Sequence, residues 1–491
     1  MTTTPVTPLF RADGWHGWIA LVFGLGATAM AAAFVSIQWS LFIVGALIVF
    51  LLSMAEWEPF FLLIILILPV SWRLQADQPV KDVQACIHLL VALGYYFGRL
   101  LRGQFSFHDF WRHPLSRGSL FFLGAAYFSS VLGSGGWTHL SARAIFFFTS
   151  YVAFYFFMVN WIRSSERMTR VVLCLITSLI FIGAFAIYQQ ISGGYSALWY
   201  LLNPPDENPF VAIDRTPSFF NYSNTLGGYL GLTLPLALAC FISGDRRWRA
   251  LAGWSLGFGL VALTLSQSRG AIVAFWCVLA FAIVFFVQSW RKRLVLFCGS
   301  GMLAVGFYLA ARVWNPGHFG DLDTLSAASR LFLWDVALQM FVGSPIFGVG
   351  IGNFLGLYGA YLQNISWIPP MLLGTHNIYI QMLSETGIVG FFSFFLLVYL
   401  AIREATRQLR SKSSSLVTQV LGFGVLGAIL ATLTHGFVDY LLDFSGVGTV
   451  FWALLGMLAA NAYLRPKSVP SAGVSNSPLP PVGELSLKTG A

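Results

Sequence analysis

Residues 311–377 read ARVWNPGHFGDLDTLSAASRLFLWDVALQMFVGSPIFGVGIGNFLGLYGAYLQNISWIPPMLLGTHN, a long and only patchily apolar segment. Runs of about twenty apolar residues stand on both sides of it, the length that crosses the hydrocarbon core of a bilayer as a helix. That contrast decides the fold class. With 57% hydrophobic residues, 10% charged residues and a mean hydropathy of +0.74, the chain is no soluble domain. It reads as an all-α, polytopic membrane bundle of about 12–14 transmembrane helices with a large loop that contains short helices. Inside the segment, GSP at 343–345 and IPP at 368–370 mark turns. Leu331, Trp334 and Leu338 recur at helical spacing and predict a short amphipathic helix over 328–342 lying at the membrane surface.

Working outward, apolar blocks fall at 16–36, 38–53, 57–72, 84–101, 118–134, 143–163, 168–190, 224–243, 249–267, 271–290, 293–312, 376–402, 416–436 and 446–464. The net charge of +9 does not point to nucleic acid, because most basic residues sit in short loops between blocks, where they act as topology signals. Arg99/Arg102/Arg112/Arg117, Arg163/Arg167/Arg170, Arg246/Arg247/Arg249, Arg291/Lys292/Arg293 and Arg403/Arg407/Arg410/Lys412 fall on alternate loops, which predicts that those loops and both termini are cytoplasmic. Segments 191–223, 267–270 and 312–376 then face outward, toward the periplasm of a bacterium. The expected organisation is a cytoplasmic N-terminus (1–15), an N-terminal bundle (16–223), a second bundle (224–464) carrying the long loop, and a Pro/Ser/Gly-rich disordered tail (465–491). The N-terminus lacks the pattern of a cleaved secretory signal, so the first block is expected to stay. Segment 102–117 suits either a short interfacial helix or a topology-setting loop. Cys86, Cys174, Cys240, Cys277 and Cys298 are scattered singly, which indicates neither a zinc site nor a disulfide framework.

Basic residues are disfavoured on the outer side, so the arginines there call for a reason. Arg269 and Arg330 are the sharpest cases. A planar guanidinium can hold phosphate oxygens in a bidentate way, and a pair of them at headgroup level suits a lipid-linked pyrophosphate; a snorkelling or structurally paired arginine is the plainer alternative. His376 opens the block 376–402 at the membrane edge, with Thr375 and Asn377 beside it. It is either a satisfied structural group or a proton acceptor, since nearby cations favour the neutral ring and a bound anion opposes them. Glu385 is expected on the opposite side of the same helix and more than two turns deeper, held by a hydrogen bond within the bundle or serving function. His88, His435 and Asp439 carry the same two readings at lower weight. FGVGIGNF at 347–354 lacks the ending of a phosphate-binding loop, and its glycines are read as allowing close backbone approach. In the 191–223 loop, Asp214 and Arg215 can neutralise each other. Asn221, Tyr222 and Asn224 can line a sugar site or cap the helix that follows, with Asn224 favoured as the N-cap.

Three stretches taken together, LSQSRGAIVAF (265–275), SRLFLWDVALQMFVGSPIFGVGIGNF (329–354) and THNIYIQMLSETGIVGFF (375–392), resemble the O-antigen ligase and polymerase superfamily of bacterial inner-membrane proteins, over roughly residues 210–400. The resemblance implies a membrane-embedded glycosyltransferase that uses no metal or cofactor. Such an enzyme moves a glycan from undecaprenyl pyrophosphate to an acceptor hydroxyl, on another glycan or on lipid A–core, at the periplasmic face. It assigns Arg269 and Arg330 to the donor pyrophosphate and His376 to activation or positioning of the acceptor hydroxyl. Arg215, Tyr222 and Asn377 are further candidates for substrate binding. The additional N-terminal spans depart from the ligase pattern. Independently of the resemblance, transfer outside the cytoplasm has no nucleotide sugar available and needs a donor that carries its own leaving group, consistent with a base and two charge-stabilising arginines. The alternatives are a polymerase of O-antigen or exopolysaccharide within the same superfamily and, more distantly, a small-anion (bicarbonate-like) transporter, which would need a polar route through the bilayer.

Overall fold

The computed structural model describes residues 37–70, 83–192, 215–220, 222–244, 246–314, 321–362, 374–410 and 415–464. The expected span at 16–36, the N-terminus, Asp214, Asn221 and the tail lie outside the described residues. In chain order the helices are α1 (Ile37–Met54), α2 (Glu58–Leu66), α3 (Val83–Leu101), α4 (His108–Trp111), α5 (Pro114–Leu132), α6 (His139–Trp161), α7 (Ser165–Ile191), α8 (Ser223–Ser243), α9 (Arg246–Ser266), α10 (Arg269–Phe286), α11 (Trp290–Trp314), α12 (Asp321–Gly343), α13 (Phe354–Leu357), α14 (Ile378–Arg410), α15 (Leu416–His435) and α16 (Ser445–Leu464). A 3₁₀ turn, Tyr358–Leu362, follows α13.

Among the described residues ten helices are long and apolar enough to cross a membrane, fewer than the expected 12–14; α1 and α11, at the expected spans 38–53 and 293–312, are not among them. The chain is thus an all-α, multi-pass bundle. The expected span over 57–72 is instead the nine-residue α2, too short to cross alone at 1.5 Å per residue. Segment 102–117 holds only the one-turn α4, after which Pro114 at the first helical position opens α5. Helix starts follow local chemistry: the Ser164, Thr138 and Ser415 hydroxyls accept from the amides of Arg167, Ser141 and Thr418.

One continuous core runs through the bundle, with Tyr151, Tyr155, Phe122, Phe148 and Trp452 almost fully buried. α8 lies along α15 and α9, α9 along α7, and α14 along α5 and α15. Consecutive spans alternate in direction, except that α10 and α14, with α11 and α12 between them, both start at the same end. The ends near Gly133, Ser192, Ser223, Ser266, Ile378 and His435 gather on one side, called here the site end.

α14 is not continuous. Gly387 has φ 60° and ψ −166°, a backbone conformation open almost only to glycine, and it splits the helix into an N-terminal and a C-terminal part. A break in a membrane helix frees carbonyls and amides that lipid cannot satisfy. Here the 345–350 loop satisfies them. Val349 N and Gly350 N donate to the Ser384 and Glu385 carbonyls, both at 2.9 Å, while Ile388 N and Val389 N donate to Pro345 O and Ile346 O at 2.9 and 3.3 Å. The loop's other edge accepts from Ser134 N and Gly135 N at 3.1 Å. Gly348 (φ 68°) lies against the Ser384 and Glu385 carbonyls, where a Cβ has no room. The close approach expected of the glycine ladder is therefore present, with α5 and the break in α14 as its partners. Glu385 is 2% exposed, and its Oε1 accepts from Phe354 N at 3.1 Å, so it anchors the start of α13.

α12 is longer than the expected 328–342 helix and buries a different stripe. Leu333, Val336, Ala337 and Met340 pack with Val349, Phe354 and Tyr358, whereas Leu331 and Leu338 are exposed. The stripe shifts because its partner is the segment that carries Val349, Phe354 and Tyr358.

Candidate functional site

Four chain segments meet at the site end. The first is 215–220, held against the end of α9 by Thr216 N to Leu265 O (3.1 Å) and Arg215 Nε to Ser266 O (3.1 Å). The second is the α9–α10 turn. Gln267 (φ 49°) and Ser268 make the reversal, and Arg269 is the first residue of α10 instead of a turn residue. Beside it, Gly270 packs directly against the His435 ring and Val438. The third segment is α12. Trp334 Nε1 donates to the Thr375 carbonyl at 2.8 Å, which ties this helix to the residue preceding His376. Arg330 lies one turn earlier on the same face.

The fourth segment is the junction of 374–377 with 436–444. Asn377 Oδ1 accepts from Tyr379 N (2.9 Å) and Ile380 N (3.0 Å), capping α14, and its Nδ2 donates to Phe437 O (3.1 Å). Ile378 N reaches Gly436 O at 2.8 Å. His376 thus precedes the helix instead of opening it, so the helical-face comparison with Glu385 does not apply. Its φ of 51° is a left-handed conformation, uncommon for any residue with a side chain. The surrounding hydrogen bonds hold it there.

His376 Nδ1 lies 3.0 Å from Asp439 Oδ1. Asp439 also accepts from Tyr440 N on Oδ1 (2.9 Å) and from Asn224 Nδ2 on Oδ2 (2.7 Å). Burial works to raise its pKa. The His376 hydrogen bond, the imidazoles of His376 and His435 and the Arg330 charge outweigh it and hold the carboxyl at about 2. An ionised carboxylate only accepts, so Nδ1 of His376 carries the proton toward Asp439 and Nε2 is the free acceptor of the neutral ring. The His376 side chain is 29% exposed and that of Asp439 7%. The imidazole can meet a substrate while the carboxylate stays sealed behind it.

The arginines converge. Arg215 NH2 donates to Asn224 Oδ1 at 2.6 Å, and its basicity falls to about 10 through burial, with the charges of Arg269 and Arg330 adding to the fall and Asp439 opposing it. The Arg330 charge also bears on His435 and Asp439. Arg269 and Arg330, whose charges both bear on Arg215, make with it a local positive field beside Asp439, suited to an anion with several oxygens. Behind Asp439 a cavity of about 20 Å³, lined mainly by Gly228, Gly231, Ile378, Thr432 and His435, has room for about one water molecule. Among the described residues no three His, Cys, Asp or Glu side chains are grouped to hold a metal.

Of the residues singled out in the sequence, Arg215, Arg269, Arg330 and His376 come together here. Tyr222 occupies the N-cap position of α8, 40% exposed, with its ring edge toward Phe444. Asn377 is 5% exposed and engaged as a cap. Asn224 is not the N-cap expected of it; it lies in the first turn of α8 and bridges Arg215 to Asp439. Asp439 carries far more of the site than its weight in the sequence suggested. Its one local signal was an acid just past the end of an apolar block, four residues after His435.

Residues 254–395 match the family model described as O-antigen ligase. The chain is also 28% identical over 260 residues to the exopolysaccharide production protein ExoQ of Rhizobium meliloti (strain 1021), a match covering 47% of this chain and 56% of that relative's length.

Proposed function

We propose that this member of the O-antigen ligase and polymerase superfamily is a glycosyltransferase working at the periplasmic face of a bacterial inner membrane. It transfers a glycan from undecaprenyl pyrophosphate to an acceptor hydroxyl. The observation that carries this reading is the gathering of Arg215, Arg269 and Arg330 around the His376–Asp439 pair. In the proposed step the acceptor oxygen attacks the anomeric carbon from the face opposite the pyrophosphate. The new C–O bond forms as the bond to the phosphate oxygen breaks, and the departing undecaprenyl pyrophosphate keeps that electron pair. The acceptor proton passes to Nε2 of His376, Asp439 steadies the imidazolium so formed, and the arginines offset the charge growing on the leaving group. A single displacement inverts the anomeric configuration.

A second reading concerns the acceptor alone. The relative named for exopolysaccharide production favours a growing polysaccharide chain over lipid A–core. Purified protein in nanodiscs, given a labelled undecaprenyl-pyrophosphate oligosaccharide and each acceptor in turn, tests both readings. The expected outcome is one glycosylated product of inverted configuration, absent with His376→Ala. Vesicles that accumulate bicarbonate while no glycan moves would overturn the transferase reading in favour of transport.

A further inference from the structure

Arg215 and Asp439 carry opposite charges in a largely desolvated site, where direct contact between them is electrostatically favoured. They do not touch. Asn224 stands between them, its Oδ1 accepting from Arg215 NH2 at 2.6 Å and its Nδ2 donating to Asp439 Oδ2 at 2.7 Å. This position needs a group that accepts on one side, donates on the other and has no charge. A primary amide meets all three conditions. A carboxylate would grip the guanidinium and repel Asp439, and an aliphatic side chain would leave both ions free to close on each other.

We propose that Asn224 is a positioning residue, a neutral spacer that keeps the Arg215 cation available to the donor's phosphates and the Asp439 carboxylate on His376. The inference rests on the transferase reading for its substrate. With Nε of Arg215 on the Ser266 carbonyl and NH2 on Asn224, the NH1 edge donates to none of the described residues. If the spacer is lost, Arg215 swings onto Asp439. The anion site then loses one arginine, and the carboxylate's hold on His376 weakens.

The test uses full-length protein in nanodiscs with Asn224→Asp, Asn224→Leu, Arg215→Met and the Arg215→Met/Asn224→Leu double variant. Unglycosylated undecaprenyl pyrophosphate serves as the binding probe, and donor KM and kcat are measured separately. Both Asn224 variants are expected to weaken probe binding and raise donor KM about tenfold or more, with a smaller fall in kcat. In the Arg215→Met background, Asn224→Leu should add less than about threefold to KM, because the cation it would release is gone. Wild-type KM and binding in both single variants, or full additivity in the double variant, overturns the inference. If Asn224→Leu does not fold, the isosteric Asn224→Asp decides alone. Wild-type protein that binds the probe but transfers no glycan sinks the transferase reading and leaves the binding comparison intact; active wild type matched by its Asn224 variants sinks the spacer alone.

Discussion

The Nδ1-to-carboxylate contact of His376 is what turns a histidine at a membrane edge into a candidate base. Asp439→Asn keeps the shape but lets the imidazole take the other tautomer, so transfer should fall by about 10²–10⁴, measured as kcat with labelled donor, while donor binding is retained. Arg269→Lys and Arg330→Lys keep charge and lose the planar fork, and each should lower kcat/KM for the donor at least tenfold. Wild-type rates in both lysine variants would remove the phosphate clamp. Asp443 gives a pH-dependent signature. Burial first, then the neighbouring Glu385, pushes its carboxyl up from the ordinary 3.8 to about 7. The folded protein therefore holds a proton that the unfolded chain has already released, and stability falls as pH rises from about 4 through 7. Asp443→Asn has no proton to lose. Its thermal midpoint should match wild type below about pH 4 and exceed it increasingly up to about pH 7 and above, and parallel pH curves would refute the assignment.

At the scale of elements, the site depends on how α10, α12 and α14 are held. The break at Gly387 and the loop 345–350 satisfy each other's backbone groups, so a side chain at Gly387 meets both a strained φ and the Ile346 carbonyl. Gly387→Ala should cost a few kcal/mol of stability, seen as a lowered melting temperature in detergent. Trp334→Phe keeps the packing of α12 and loses the bond to Thr375 O, worth about 1 kcal/mol. It should lower turnover more than stability, since that bond ties the Arg330 helix to the His376 segment.

For the whole molecule, the alternation of spans places every site residue at one end of the bundle and the arginine-rich turns, with Arg163 bonded to Tyr95 and Arg167 to Trp161 O, at the other. The proposed periplasmic orientation has a direct test in a background without the five native cysteines. Ser192→Cys, at the site end of α7, should react with a membrane-impermeant maleimide in intact spheroplasts. Glu166→Cys, at the opposite end of the same helix, should react only after permeabilisation. The reverse pattern would place the proposed site on the cytoplasmic face and remove the case for a lipid-linked donor in place of a nucleotide sugar.

Apolar block length by itself determined the all-α multi-pass class and the positions of the ten spans, because hydrocarbon thickness sets a length that local composition must meet. The rarity of outward arginines likewise marked Arg269 and Arg330, and the His376 junction stood out at the end of the long segment. Only the tertiary structure decided which groups those residues face. Asp439 and Asn224 become site residues through hydrogen bonds to partners 63 and 215 positions away. The buried stripe of α12 is likewise set by Val349, Phe354 and Tyr358, which follow it in the chain. Distant pairings of this kind leave no period or spacing along the chain, since what selects them is the need of each buried polar group for a partner where water is excluded.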